Sequence, residues 1–429
     1  MSRRTAILPV LGPEAARGRI NIASFILDAS TYSFSIAIGC HAEAVFKADY
    51  WMLGKLGGLT AFCYSLICLL SGGLSDRLGS LPLAMASVAL LSLCFLATTF
   101  ARTYEHLLIA GAFMGAALAL FWPPIQRLLS RLSPGASLWG ALGRFNIYWA
   151  IGVGFGTLTP VLYASRGFEE TLLWGFVITI AVVPILAARM PEPPHPVAGG
   201  PGDGVPEEGR SAAGGEVPVP GEAGRTVPEH RARTFLHIAW IANFTAFFAM
   251  VGMVRVFPKI TSDLGIHIGH MGWILLPLDI GKITAFIILT RGAFWHYSFR
   301  WLLAAQGAAG CALVLAGLLE TWWLFILLFP IVGALSGLTY FSSIFYSLNL
   351  REGEGKKSGL HETILASGVC LGPLLCGLVG ERYRAHPGAA LVFGGAVVLL
   401  GLIAQGWIYL RRVRLPERLA RDRQGMERG

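Results

Sequence analysis

The chain has 429 residues, 54% of them hydrophobic and only 14% charged, with a formal net charge of +9, whereas soluble domains carry about 25% charged residues. A single soluble core stops growing near roughly 250–300 residues, and a mean hydropathy of +0.61 leaves too little polar surface to cover even two. A soluble globular fold is excluded, and lipid is the expected solvent for most of the chain.

A spanning helix needs about 20 apolar residues, and the sequence predicts twelve. Six run from Ile20 to Cys40, Trp51 to Gly73, Leu81 to Phe100, Leu107 to Ile125, Leu142 to Leu162 and Thr171 to Ala188. Six more run from Phe235 to Phe257, Met271 to Leu289, Trp301 to Leu319, Trp322 to Tyr346, Gly359 to Val379 and Ala389 to Tyr409. The first eighteen residues hold no apolar stretch long enough for a cleaved signal, so the first span is expected to stay in the mature protein. The seven cysteines lie in or beside spans without CxxC spacing and read as small core residues, neither a disulfide frame nor a metal site.

With the N-terminus inside, 25 of the 34 Lys and Arg residues flank the inner ends of the spans and 7 the outer ends. This is the positive-inside bias, and it places both termini in the cytoplasm of a multi-pass protein of the inner, cytoplasmic membrane. The net charge therefore points away from nucleic acid. The run of arginines from Arg411 to Arg428 begins directly after the last span, where anionic lipid heads attract it.

From Pro191 to His230 there are nine prolines, nine glycines and no aromatic residue. Such a segment cannot bury enough apolar surface to offset its ordering entropy. The expected organisation is a bundle over 1–190, a disordered cytoplasmic linker over 191–233, a second bundle over 234–410 and a basic cytoplasmic tail over 411–429. The two halves echo each other. Gly143-x-x-Asn146-x5-Gly152-x3-Gly156 returns as Gly359-x-x-Glu362-x5-Gly368-x3-Gly372, and Gly57-x-Leu59-Thr60-Ala61-Phe62 as Gly281-x-Ile283-Thr284-Ala285-Phe286. A third echo pairs Gly115 with Gly333. Units of six spans share one orientation, the parallel-repeat arrangement. The expected fold class is an all-α membrane protein whose twelve transmembrane helices form two pseudo-symmetric six-helix bundles.

Between the second and third spans, Gly72-Gly73-Leu74-Ser75-Asp76-Arg77-Leu78-Gly79 resembles the G-x-L-a-D-R-x-G signature of the major facilitator superfamily. With the six-plus-six organisation and the central linker, the resemblance covers the whole chain. It departs from the pattern at Ser80-Leu81, where a basic pair is expected, and at Thr157, where proton-coupled drug exporters carry a proline after the glycine. The resemblance implies that this loop latches the halves on the cytoplasmic side. Asp76 would meet the positive N-terminus of the eleventh span, an anion at a helix dipole. Asp76 and Arg77 with Glu362 are thus the candidate cytoplasmic gate, Glu362 alternatively serving only as a favourable first-turn acid.

Polar residues at membrane depth should face protein or water. Asn21, Ser24, Asp28, Thr31, Tyr32 and Ser35 recur at steps of three and four and so share one stripe of a helix. Such a stripe walls a cavity or forms a hydrogen-bonded seam. Asp279 and Lys282 flank a glycine beside Pro277; they either neutralise each other or offer one member to a solute. Arg255 and Lys55 fall near outer span ends and read as snorkelling. The candidate cavity set is Asp28, Thr31, Tyr32, Ser35, Trp122, Asn146, Trp149, Asp279, Lys282 and Tyr340, with Asp28 and Asp279 as candidate coupling residues. Trp122 and Tyr340 hold equivalent places in the repeat and could flank a ligand.

The expected function is secondary transport of a small polar or amphipathic solute by alternating access, with a proton as candidate coupling ion. The partners are then the solute and the bilayer, with no nucleic acid, cofactor, metal or catalytic group, and the chain is expected to work as a monomer. A polytopic enzyme acting on a lipid-linked substrate is the rival, but the sequence has no phosphate-cradling glycine loop, HExxH or aspartate cluster. A transport-inactive sensor lacks the expected soluble output domain.

Overall fold

The computed structural model describes residues 11–133, 137–187, 216–219, 222, 224–349 and 354–419. Helix α1, Pro13–Ala44, starts with Pro at its first position, where the missing N–H is no loss. Its 32 residues extend roughly 48 Å at about 1.5 Å per residue, more than the hydrocarbon of a bilayer. Asp49 accepts from the Met52 N–H at 2.8 Å to cap α2, Tyr50–Leu78. Gly79, at φ +87°, turns the chain into α3, Ser80–Thr98. Few residues but glycine adopt that angle without strain.

The fourth span, expected unbroken from Leu107 to Ile125, is instead two helices, α4 Tyr104–Leu118 and α5 Trp122–Arg131. Pro123 and Pro124 lack the N–H groups that would bond back to the preceding turn, so the α-helix restarts at Trp122. Helix α6, Ser137–Thr157, leads through one residue into α7, Thr159–Ile180, which Gly167 at φ +80° divides, and a short α8, Val182–Leu186, follows.

A stretch expected inside the disordered linker is ordered. Strands β1, Glu216–Pro218, and β2, Thr226–Pro228, pair antiparallel, and Val219 and Val227 are buried in the core cluster that includes Phe235 and Tyr297. These two valines provide the apolar surface that the composition average concealed. Residues 188–215 and 420–429 lie outside the described residues. The second half comprises α9 Glu229–Asp263, α10 Ile268–Leu289, α11 Phe299–Leu319, α12 Trp322–Asn349, α13 Glu354–Arg382 and α14 Ala389–Tyr409, which closes in a π-helical turn. Among the described residues, eleven helices are long and apolar enough to cross a membrane.

The glycine echoes mark equivalent packing. A Cβ on Gly152 or Gly156 of α6 would meet the backbone oxygen of Phe25 or Ala29 of α1. One on Gly368 or Gly372 of α13 would meet that of Phe244 or Phe248 of α9. Likewise Gly115 of α4 lies on Thr60 of α2, and Gly333 of α12 on Leu278 of α10. Small residues allow this approach where lipid supplies no hydrophobic drive. Gly372→Leu is expected to lose about 3 kcal/mol or more, since backbone must move to admit the side chain. Gly406→Ala, with nothing within 4 Å, should gain about 0.5–1 kcal/mol of helix stability. Melting curves of the two variants in detergent check both signs.

Candidate functional site

Helices of both halves enclose a cavity of about 230 Å³ whose wall includes Asp28, Tyr32, Trp122, Trp149, Arg255 and Lys282. The polar stripe of α1 forms one side of it. Asp28, Thr31, Tyr32 and Ser35 all line the space, while Asn21 Oδ1, Ser24 Oγ and Asp28 Oδ2 are buried without a hydrogen-bond partner. Thr31 is satisfied locally, its hydroxyl donating to Leu27 O at 2.9 Å. Lys282 and the Trp149 indole are the groups that act on the Asp28 carboxylate. The close approach of α6 to α1 at Gly152, against Phe25 O and Asp28 Cβ, holds that carboxylate at the interface.

Opposite, α10 carries a buried ion pair. Lys282 Nζ donates to Asp279 Oδ1 at 3.0 Å, and the two side chains are 3% and 1% exposed. The Thr157 hydroxyl donates to Asp279 Oδ2 at 2.5 Å, so both oxygens of Asp279 are engaged. The threonine that replaces the expected proline after Gly156 thus has a function in this fold. Lys282 Nζ also lies 5.6 Å from the Trp149 ring centroid, a cation–π contact. Gly281 and Gly333 pack α10 and α12 backbone to backbone, which fixes the helix that bears the pair.

Of the candidate cavity residues, Asp28, Thr31, Tyr32, Ser35, Trp122, Trp149 and Lys282 reach the wall. Asp279, Asn146 and Tyr340 stand behind it. Asn146 is buried with its Nδ2 unpartnered. Tyr340 lies with its ring centroid 5.5 Å from that of Trp149, so it backs the indole while Trp122 faces the space. Of the candidate gate, Arg77 is exposed at the end of α2, and the side chain of Asp76 lies outside the described residues. Glu362 is half-buried and acts electrostatically on Tyr64, Cys68 and Tyr340, which places it between α2 and α12. Its neighbour His361 is buried, with Nδ1 2.7 Å from Ser343 Oγ.

Arg255 corrects the expectation that it snorkels. Helix α9 continues through Pro258 to Asp263, beyond the Phe257 expected as its end. Arg255 therefore sits eight residues, roughly 12 Å at about 1.5 Å each, inside the terminus, and it lines the cavity. Its stem crosses α2 at Gly57, where a Cβ would stand 2.7 Å from Arg255 Cγ. Tyr64, Phe247, Met114 and Met250 also line the wall; aromatic and sulfur side chains at helical spacing gave no sign of this.

At the end of the chamber nearest Arg255 the halves meet. The Tyr50 hydroxyl donates to Asp263 Oδ2 at 2.9 Å, and Lys259 holds Asp263 Oδ1 at 2.5 Å. Arg384 stands 3.8 Å from Asp49, and Gly377 and Gly380 of α13 lie directly on Tyr50.

The family profile of the Major Facilitator Superfamily matches residues 20–373. An uncharacterised MFS-type transporter of Mycobacterium tuberculosis is 28% identical over 149 residues, 33% of this chain and 35% of that protein. The multidrug resistance protein MdtG of Yersinia enterocolitica is 25% identical over 183 residues, 41% and 43% of the two chains. The chain thus spans 35–43% of the length of these relatives. Among solved structures, the nucleoside transporter NupG superposes with a TM-score of 0.66 at 13% identity, covering 92% of this chain and 99% of that one. A bacterial homologue of the human lysosomal transporter Spinster, in an inward-facing and unoccupied conformation, gives 0.63 at 17% identity over 93% and 97%.

Proposed function

The chain belongs to the Major Facilitator Superfamily, and on that premise we propose that it is a membrane transporter rather than an enzyme and that it moves a small polar or amphipathic solute by alternating access. The observation that carries this reading is the chamber of about 230 Å³ walled by helices of both halves and bearing an ionisable group from each, Asp28 and Lys282. That volume is suited to a small solute. Its walls come from both halves of the chain, so a rocking motion of one half against the other would expose it to either side in turn. The seal of Tyr50 on Asp263 is the closure of one side, and by the positive-inside rule that side is the outer one.

Helix α6 completes the count as the twelfth span, and the matched contacts of the glycine stripes support a duplicated six-helix unit. Asp28 carries the coupling proton in this scheme. Its buried, unpartnered oxygen leaves a site that a proton fills when the neighbouring Lys282 is drawn to solute. The site residues are Asp28, Thr31, Tyr32, Ser35, Trp122, Trp149 and Lys282, with Asp279, Asn146 and Tyr340 as their support and Glu362 at the cytoplasmic entrance. The chain acts as a monomer in the cytoplasmic membrane, both termini inside.

Reconstitution tests this. Solutes that raise the melting temperature of the purified protein, by mass action on the folded state, should exchange across proteoliposomes at saturable rates. Cross-linking the seal through a Tyr50→Cys/Asp263→Cys pair should stop exchange and leave ligand binding. Exchange that persists with the seal locked shut would remove alternating access.

A further inference from the structure

We propose that the solute carries an anionic headgroup, a carboxylate or a phosphate, and that this group docks on the Arg255 guanidinium with the Tyr32 and Ser35 hydroxyls. The inference rests on the transport reading and names the substrate class of the same chamber. In the sequence, the acids Asp28, Asp279 and Glu362 balance the bases Lys55, Lys282 and Arg255, so formal charge favours neither sign. Packing removes that balance. Asp279 and Lys282 neutralise each other. Lys55 lies against the Trp51 and Tyr104 rings, at 5.7 and 5.9 Å, away from the cavity wall. Two charges remain on the wall itself, Asp28 and Arg255, and they are not equivalent. Asp28 lies in the field of Lys282 and is approached by the Trp149 indole. Arg255 has Tyr32 as its electrostatic neighbour, and no carboxylate pairs with it among the described residues.

Three donors thus line the chamber, the Arg255 guanidinium, the Tyr32 hydroxyl in its field and the Ser35 hydroxyl beside it, and among the described residues none of the three has a side-chain acceptor. A small adjoining pocket is lined by Ser35, Thr60 and Arg255 with Gly57. A guanidinium kept inside an apolar body without a counter-charge is unfavourable unless something else satisfies it, and its planar fork matches carboxylate and phosphate oxygens two at a time. Gly57 makes room for the arginine stem, and the side chain lines the chamber. The remaining wall, with Met114, Phe247 and Met250 beside the tryptophans, suits an apolar body behind the charged head.

The test uses the full chain, purified in an uncharged maltoside detergent, and four probes of one size: 3-phenylpropionate, phenyl phosphate, 3-phenylpropanol and 3-phenylpropylamine. One or both anions should raise the melting temperature, the alcohol and amine much less, and comparing the anions assigns carboxylate or phosphate. Arg255→Gln should weaken anion binding roughly tenfold to a hundredfold, as for loss of a charge-assisted hydrogen bond. Arg255→Lys should restore part of it, and Tyr32→Phe should weaken it less. Gly57→Ala, which leaves the arginine but displaces its stem, should weaken it as well. The proposal is overturned if the amine or alcohol stabilises as strongly as the anions, if the anion effect survives Arg255→Gln, or if no probe stabilises the native protein. Arg255-dependent anion binding without flux in proteoliposomes would defeat the transport reading alone, whereas flux of the amine without anion binding would defeat only the anionic headgroup.

Discussion

Lys282→Met is expected to destabilise the protein by about 3–5 kcal/mol, the range for removing one partner of a buried ion pair. Asp279, 1% exposed, would keep the Thr157 hydrogen bond but lose its counter-charge where no water reaches. Asp279→Asn should cost less, because Lys282 lines the cavity and water there can solvate its ammonium. The double change Asp279→Leu/Lys282→Met should recover most of the loss, since a well-packed apolar pair often matches a buried salt bridge. Thermal melts of the three variants in one detergent decide the matter. If both single variants lose equally and the double variant loses their sum, the pair is not coupled as drawn. Transport should be lost in the double variant even where stability returns, because the Lys282 charge that acts on Asp28 is gone.

In proteoliposomes, Asp28→Asn is expected to abolish accumulation driven by a proton gradient and to spare exchange of solute down its own gradient. A driving force of 100 mV carries about 2.3 kcal/mol per charge, which concentrates a solute roughly fiftyfold, and the variant should fall to about onefold. Asn is isosteric and keeps an oxygen for the Trp149 indole, so folding should hold. The buried Asp28 Oδ2 already lacks a partner, and its replacement by an amide leaves at most one more unmet polar group, about 1–3 kcal/mol. Accumulation unchanged in Asp28→Asn would remove the proton from this residue.

Much of the candidate cavity was legible. The spacing of Asp28, Thr31, Tyr32 and Ser35 placed them on one helical stripe, and all four line the chamber. Asp279 and Lys282 were recognisable as a pair, three residues apart. Their partner Thr157 was not, because it lies 122 residues away on another helix and was noticed only as a departure from a motif. Arg255 was misplaced for a local reason: the span was expected to end at Phe257, whereas α9 runs on through Pro258 to Asp263. A proline inside a membrane helix is tolerated when neighbouring helices support the backbone, and here Gly252 of α9 packs on Gly372 and Cys376 of α13. Tyr50 carried no sequence signal at all, since its role arises where α2 meets α9 and α13.

Hydropathy and residue spacing suffice to establish a helical body in lipid, its candidate inward-facing stripe and the family signature, because each depends on a period or a count along one segment. Which charges are already neutralised does not follow from such patterns. It depends on distances between helices, and a shift of a few ångströms decides whether a carboxylate meets an ammonium or an empty chamber. That is why the formal charges balance in the sequence while, among the described residues, Arg255 is left without an acid.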